Sequence, residues 1–323
     1  MAWVHATLDN RESHSLKINH RIAARHDNPF WSEVIRLGLD YDAGHPHDAL
    51  GFSIIVFNVT EDQPQWPEIE RLIGESDVAS HLVTNLFSTT EMDRAEWLHV
   101  SALGQHGYPQ PEDDFGYIEA TYDVSQYCYR CGIGGVQKAP FRLRSEPKAR
   151  HSQFLQLNWV FDELFVRSEA RQGLTAAGLT GFDFRPAVIH RADRPSGEVQ
   201  QMEILSVLQP ALDPTGLETV TCNERNEEWE SIRRRFPNLQ SPVPEPNSYC
   251  GGVKYHLEHR GPFRFDRSAL VAAPDVVKSH EWFGSGASAF RLVLVSQRFR
   301  QIVLEAKWRG LSFEPVELTG KST

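Results

Sequence analysis

The sequence predicts an α+β protein built from mixed sheets and short helices. Apolar or alternating runs at 51–59, 80–87 and 98–103 have the composition of strands. Short amphipathic segments with recognisable start and stop residues separate or follow these runs. The chain has 323 residues, of which 40% are hydrophobic and 24% charged, so it is long enough for two globular domains.

The first third alternates between predicted helices and strands. Gly38 ends a short helix over 29–38, and Pro67 opens a second helix that continues to residue 73. Ser88 and Glu91 form a capping box, which predicts a third helix extending to about Trp97. The alternation favours an α/β or α+β arrangement for this region.

A turn-rich connector at 105–114 marks the predicted domain boundary. We therefore predict an N-terminal α/β or α+β region over 1–110 and a C-terminal region over 111–323. The connector ends in the acidic run Glu112-Asp113-Asp114. We interpret this run as a solvated loop, with the binding of a cation or a basic partner as the alternative.

The C-terminal region reads mainly as strands. Runs at 115–124, 154–160, 184–189 and 199–208 are strand candidates, and the last two are expected to form a hairpin. Asp162 and Glu163 are adjacent, so their side chains should point in different directions, which favours surface positions. Pro274 and Asp275 are expected to start a short helix. Ser296 should cap a helix that ends at Gly310, before a strand in which Pro315 favours an edge position.

Charge and cysteine content limit the class of protein. The formal net charge of -10 repels nucleic acid and anionic membranes. The first residues lack the pattern of a signal peptide, and no apolar run is long enough to span a bilayer. Four cysteines in a chain of this length do not form a disulfide scaffold. We therefore expect a cytoplasmic protein with reduced thiols.

The pattern Cys128-Tyr129-Arg130-Cys131-Gly132 is typical of a metal-binding knuckle, a tight turn that presents two thiolates to one ion. Asn247 through Gly251 has the shape of a second knuckle whose first cysteine is replaced by Asn247. A structural zinc site needs four ligands, and Cys222 is the best fourth donor by chemistry, with His256 and His259 as alternatives. The predicted metal ligands are Cys128, Cys131, Cys250 and Cys222. The competing interpretation is a vestigial site of ordinary buried cysteines.

Catalytic patterns are incomplete in this chain. His45, His47 and Asp48 resemble part of a metallohydrolase motif, but Ala49 and Leu50 occupy positions where that motif needs a further Asp-His. His280 and Glu281 are a second acid–base candidate. The small-residue loop 284–288 fits neither a phosphate-binding loop nor a nucleophile elbow. These failures favour a protein without a catalytic site.

The two knuckle segments together resemble a bacterial family of double Cys-x-x-Cys-Gly motif proteins. The resemblance is carried by the segments 127–140, 155–166 and 250–262, and by an ending that runs from Glu281 to Pro315. It implies zinc-ribbon-like knuckles and a role as an immunity protein of a toxin–immunity pair. Asn247 departs from the family pattern, which has a cysteine there.

The sequence therefore predicts a non-catalytic cytoplasmic immunity protein that neutralises a cognate toxin. Its acidic charge suits a basic partner. A hydrolase-type enzyme is the first alternative. The second is a zinc-dependent nucleic-acid binder, which would require a basic face beside Cys128.

Overall fold

A computed structural model describes residues 16–25, 27–39, 41–42, 54–76, 78, 80–148, 151–223 and 249–320. These residues form two compact units. The smaller unit contains the described residues up to Met92 together with Glu258–Pro262, and the larger unit contains 93–257 and 263–320. Residues 110 and 111, where the sequence suggests a boundary, both lie within the larger unit.

The smaller unit is an antiparallel four-stranded sheet with the strand order β2-β3-β1-β4. Helices α1 and α2 bury Trp31, Val34 and Ile69 with side chains of β1 and β3 in one apolar core. Its elements are β1 (Lys17–Arg25), α1 (Phe30–Arg36), β2 (Tyr41–Asp42), β3 (Ile54–Thr60), α2 (Trp66–Glu75), β4 (Ser80–Leu86) and α3 (Thr89–Arg94).

The local signals of the smaller unit are confirmed where the structure describes them. Pro67 lies in the first turn of α2, as its missing N–H allows. Ser88 Oγ accepts from the Glu91 N–H, and the Glu91 carboxylate accepts from the Ser88 N–H, so the capping box is present. The predicted length of the helix that follows is wrong, because α3 ends at Arg94 rather than at about Trp97. Trp97 begins strand β5 instead, in the larger unit.

The larger unit contains a seven-stranded sheet with the order β13-β14-β16-β17-β5-β18-β15. The pairs β14·β16 and β15·β18 are parallel, and the other neighbours are antiparallel. Its strands are β5 (Trp97–Ala102), β13 (Thr219–Thr221), β14 (Val253–Tyr255), β15 (Phe263–Asp266), β16 (Val276–Phe283), β17 (Phe290–Ser296) and β18 (Leu311–Thr319).

A five-stranded sheet with the order β8-β11-β12-β10-β9 completes the core of the larger unit. Phe161 on β10 meets Phe290 on β17 edge-on, with ring centroids 5.2 Å apart, so the two sheets share an apolar contact. The remaining elements are α4 (Tyr117–Thr121), β6 (Tyr122–Asp123), β7 (Val136–Gln137), β8 (Arg142–Leu143), β9 (Phe154–Leu157), β10 (Val160–Arg167), α5 (Ser168–Ala176), β11 (Phe182–Ile189), β12 (Arg194–Ile204) and α6 (Gln297–Glu305).

The predicted α+β class is confirmed: the protein consists mostly of sheets with a few short helices. The β11–β12 hairpin is confirmed, and so is the Ser296 cap, since Ser296 Oγ accepts from the Phe299 N–H. The capped helix is shorter than predicted, because it ends at Glu305 rather than at Gly310. No helix in the described part of the chain combines the length and apolar character needed to cross a bilayer.

Further element predictions are wrong. The single strand predicted over 154–160 is two strands, because β9 ends at Leu157 and β10 begins at Val160. The alternating run 115–124 forms α4 in its centre, because Tyr117, Ile118 and Thr121 lie on a buried helical face. The segment after Pro274 forms β16 rather than a helix. Strand β18 lies between β5 and β15, so Pro315 is not in an edge strand. Pairing with β15 begins only at Val316, so the proline precedes the shared register.

Candidate metal centre

The four predicted ligands come together at one place in the larger unit. The Sγ atoms of Cys128, Cys131, Cys222 and Cys250 all lie within 4.8 Å of one another. All four are free thiols, and Cys250 is the exposed member. Among the residues that the structure describes, this is the one group of three or more His, Cys, Asp or Glu side chains with donor atoms so close together.

Two of the sulfur separations are close to the edge length of a tetrahedral metal site. Cys128 Sγ lies 3.8 Å from Cys222 Sγ, and Cys131 Sγ lies 3.5 Å from Cys250 Sγ. A tetrahedron with zinc–sulfur bonds of about 2.3 Å has sulfur–sulfur edges of about 3.8 Å. The separations are also far above the disulfide bond length of about 2.0 Å. The donor set therefore suits one ion that prefers thiolates.

The first knuckle is a tight turn closed by its own backbone. The Gly132 N–H donates to Cys128 O at 2.7 Å, and the Cys128 N–H donates to Ile133 O at 2.8 Å. Gly132 has a φ of +83°, which a residue with a Cβ rarely adopts. Burial opposes ionisation of Cys128, but the N–H groups of Cys131 and Arg130 outweigh it and lower the pKa of this thiol.

Strand pairing brings the other two cysteines to the same place. Cys222 directly follows β13, and Cys250 lies just before β14. The Cys222 N–H donates to Gly252 O at 2.8 Å, which extends the β13–β14 ladder to the cysteines. The Gly252 N–H lies 3.3 Å from Cys250 Sγ, so a backbone donor also faces this sulfur. Burial raises the pKa of Cys222 and of Cys131.

Lys254 connects the first knuckle to the small-residue loop 284–288. Its side chain is almost fully buried, and its Nζ donates to Cys131 O at 2.9 Å. The same Nζ donates to Gly286 O at 2.7 Å and to Ser288 O at 2.8 Å. A buried ammonium here offsets part of the negative charge that four thiolates would carry. The loop thus has a structural role, because its carbonyl groups hold the Lys254 ammonium.

The loop and the knuckle are in close backbone contact. A Cβ added to Gly132 would lie 2.4 Å from Ala287 O and 2.7 Å from Ala289 N. Such distances are too short for any side chain. Glycine at position 132 is therefore required twice, by its positive φ and by the approach of the loop.

The alternative ligands lie elsewhere. His256 Nε2 is 3.9 Å from a Glu218 carboxylate oxygen, and His256 does not belong to the thiol group. His259 belongs to the smaller unit, where its Nε2 lies 3.3 Å from Asn85 Nδ2. Asn247, where the double-motif pattern has a cysteine, lies outside the described residues. Cys222 occupies the fourth corner of the group.

The catalytic candidates do not form a site in the described residues. His280 is exposed, while Glu281 Oε1 accepts from the N–H groups of Ala211 and Leu212 at 2.8 and 3.1 Å. Glu281 thus holds a backbone turn. The triplet of His45, His47 and Asp48 lies outside the described residues.

The sequence-based placement of Asp162 and Glu163 at the surface is wrong. Both side chains are mostly buried and pair with Lys278 on β16, whose Nζ lies 3.1 Å from Asp162 Oδ2 and also contacts Glu163 Oε1. Gln201 donates to Glu163 Oε2 at 2.8 Å. We call these four residues the lysine network. Burial raises the pKa of Glu163, and the two carboxylates outweigh burial to raise the pKa of Lys278.

A signal for the lysine network was present in the sequence. Asp162 and Glu163 precede Leu164, Phe165 and Val166, and Lys278 follows two valines, so each charge interrupts an apolar run. Charges in such runs are rarely buried without a partner. Opposite charges in two buried strands therefore suggest an ion pair, although sequence alone does not show which strands meet.

The smaller unit has a third group of titratable side chains. His20 is almost fully buried and stacks on Trp66, with ring centroids 3.8 Å apart. His20 Nε2 lies 2.9 Å from Glu61 Oε1, and its Nδ1 lies 2.8 Å from His81 Nε2. Burial and His20 lower the pKa of His81. Both nitrogens of His20 are thus engaged by side chains, so His20 is not a metal ligand here.

Comparison with known proteins adds no identification. No protein-family model matches the chain, and no curated protein matches it. The functional argument therefore depends on the geometry described above.

Proposed function

We propose that this protein is a non-catalytic cytoplasmic binding protein, stabilised by a structural zinc ion, that serves as an immunity protein against a cognate bacterial toxin. The main supporting observation is the group of four thiols whose Sγ atoms lie within 4.8 Å of one another. Four protein ligands fill a tetrahedral shell and leave no position for water or substrate, which is the pattern of a structural site. Such a zinc ion would contribute folding energy and leave the surface to perform the function.

Zinc is proposed over other metals because of the donor set. Thiolate-only tetrahedral sites suit zinc or iron, and zinc requires no redox partner. The knuckles would then form a zinc-ribbon-like pair in which Cys222 replaces the cysteine missing at position 247. The zinc ion would link the turn at Cys128–Cys131 to the ends of β13 and β14.

The metal proposal is tested by native mass spectrometry and elemental analysis of tag-free protein. We expect about one zinc per chain in the wild type and none in Cys222→Ser. A full zinc content in the Cys222→Ser variant would contradict Cys222 as the fourth ligand. Ser279→Ala is the control, because it changes a buried hydroxyl on β16 and is expected to leave the metal content unchanged.

The immunity role is supported by the acidic charge of -10, by the closed cysteine site and by the resemblance to double Cys-x-x-Cys-Gly proteins. An acidic inhibitor attracts a basic toxin and speeds its capture. The test is co-expression with a candidate cognate toxin. Wild-type protein should restore growth and form a complex with the purified, inactivated toxin. A protein that neither restores growth nor binds would overturn the role.

A hydrolase-type enzyme is the second candidate, favoured by one observation. Glu61, His20 and His81 form a chain of contacts like those that orient a general base. His81→Ala separates the two functions. An immunity protein should neutralise its toxin equally well with this change, whereas a hydrolase that uses His81 should lose activity about 100-fold or more.

A further inference from the structure

An aromatic group lies beside the metal centre in the larger unit. Trp159 lies in the turn between β9 and β10, and its ring centroid is 4.3 Å from that of Tyr108 and 4.4 Å from that of Phe115. Tyr117 on α4 stacks on the same indole at 5.9 Å. Tyr108 is exposed, and Trp159 and Phe115 are half-buried. The rings therefore form a partly accessible platform.

The backbone fixes this platform in place. Trp159 has a φ of +67°, in the left-handed region where glycine is usual. The neighbouring Asn158 N–H donates to Gly107 O at 2.9 Å, which ties the turn to the loop that carries Tyr108. A large ring is thus held where a turn would favour glycine. Rigid aromatic side chains of this kind are the usual anchors of protein interfaces.

The chain segment that carries Tyr108 and Phe115 is acidic. Residues 95–129 contain no lysine or arginine. The same stretch carries carboxylates that include the exposed Asp113, Asp114, Glu119 and Asp123. A polar notch bounds this surface on one side, where Arg144 and Arg191 face Glu112 and Asp113.

The platform is connected to the metal knuckle by α4. Tyr117 contacts Trp159 at one end, and Tyr129 Oη donates to Glu119 Oε1 at 3.1 Å at the other. Tyr129 lies between the two knuckle cysteines in sequence and packs edge-on against Tyr127, with centroids 5.0 Å apart. We call the exposed and half-buried side chains of residues 108–129, together with Trp159, the tyrosine-rich face.

We propose that the tyrosine-rich face is the partner-binding surface and that its occupant is a protein segment rich in arginine or lysine. Guanidinium groups would stack on Trp159 and Tyr108 and pair with the surrounding carboxylates. Aromatic anchors supply affinity, and the exposed carboxylates supply steering and selection of a basic partner. This inference rests on the proposed binding function and assigns that function a surface.

The test measures binding of an amidated octa-arginine peptide by calorimetry at low salt, with an octa-glutamate peptide as the negative probe. Asp113→Asn/Asp114→Asn removes two charges from the face. Glu70→Gln/Glu305→Gln removes two charges from exposed sites elsewhere and is the matched control. Trp159→Ala removes the anchor, and Leu304→Ala removes an exposed apolar side chain on α6 as its control.

We expect the Asp113/Asp114 variant and Trp159→Ala each to weaken binding of the octa-arginine peptide about 10-fold. The affinity of both controls should stay within about 2-fold of wild type. Tyr108→Ala repeats the anchor test in a loop, in case Trp159→Ala unfolds. Equal weakening by both double variants would show attraction to net charge alone and overturn the proposal. Wild-type binding in both aromatic variants would also overturn it. Toxin neutralisation is scored separately, so a failed face and a failed immunity role give different results.

Discussion

The cysteine group and the lysine network are both sets of mostly buried ionisable side chains in the larger unit, but they obtain their counter-charge differently. Asp162 and Glu163 pair with Lys278 from the same chain. The four cysteines gather donors of one kind, and Lys254 contacts the knuckle through a carbonyl oxygen rather than a sulfur. The lysine network is complete within the chain, whereas the cysteine group would need a cation to hold four thiolates together.

Removal of the metal should cause the largest loss of stability. A metal present at about 1,000 times its Kd stabilises the folded state by about 4 kcal/mol. A strong chelator should therefore lower the Tm by about 8–16 °C for a unit of this size. Differential scanning calorimetry with and without chelator measures the change. An unchanged Tm would mean that the cysteines pack without a metal.

Lys278→Met disrupts the lysine network and should cause the next largest loss of stability. It leaves two buried carboxylates without their cation, which costs about 3–5 kcal/mol at pH 7. Denaturant unfolding measures the loss. Lys138→Met, at an exposed position, is the control and should change stability by less than about 0.5 kcal/mol.

The loss caused by Lys278→Met should depend on pH. Burial already raises the pKa of Glu163 in the folded protein, and removal of Lys278 raises it further. A carboxyl with a raised folded-state pKa costs no stability when protonated in both states. The cost appears as the pH rises above the unfolded pKa of about 4.3. The stability difference from wild type should thus be small near pH 4 and full at pH 7, and a difference independent of pH would contradict the assignment.

Gly132→Ala should cause the smallest of these losses of stability. It still distinguishes the two sites, because it acts on the cysteine group. The positive φ and the 2.4 Å approach of Ala287 O predict a loss of about 1–3 kcal/mol and weaker metal binding. Gly74→Ala is the matched control, because Gly74 lies in α2 with no atom within 4 Å of a new Cβ. That change should stabilise the protein by about 0.5–1 kcal/mol. Two equal losses would show that glycine 132 has no special role.

The difference between the two sites explains what the sequence could predict. Cys128, Cys131 and Gly132 are adjacent in sequence, and four cysteines leave few possible ligand sets, so all four members of the group could be named. Asp162 on β10 and Lys278 on β16 are separated by 116 residues, and packing between the two sheets brings them together. Tertiary pairing of this kind has no local pattern.

The fold shows the same division between local and tertiary causes. The Ser88 capping box and the Ser296 cap are settled by neighbouring residues, and both were predicted. The segment 115–124 alternates like a strand but forms α4, because tertiary burial of Tyr117 and Ile118 outweighs the alternating pattern. The missing N–H of Pro315 suggests an edge strand. In the structure β18 is an inner strand, and its pairing with β15 begins at Val316, the residue after Pro315.

The strand order also has a consequence for synthesis on the ribosome. Strand β5 needs β17 and β18 as neighbours, so the central sheet lacks its partners until about residue 319 has been translated. Cys131 is made 119 residues before Cys250. At about 5–20 residues per second, the first knuckle waits roughly 6–24 seconds for its last partner. Assembly of the four-cysteine group and sheet closure are therefore both late events, and the nascent chain carries unpaired strand edges until they occur.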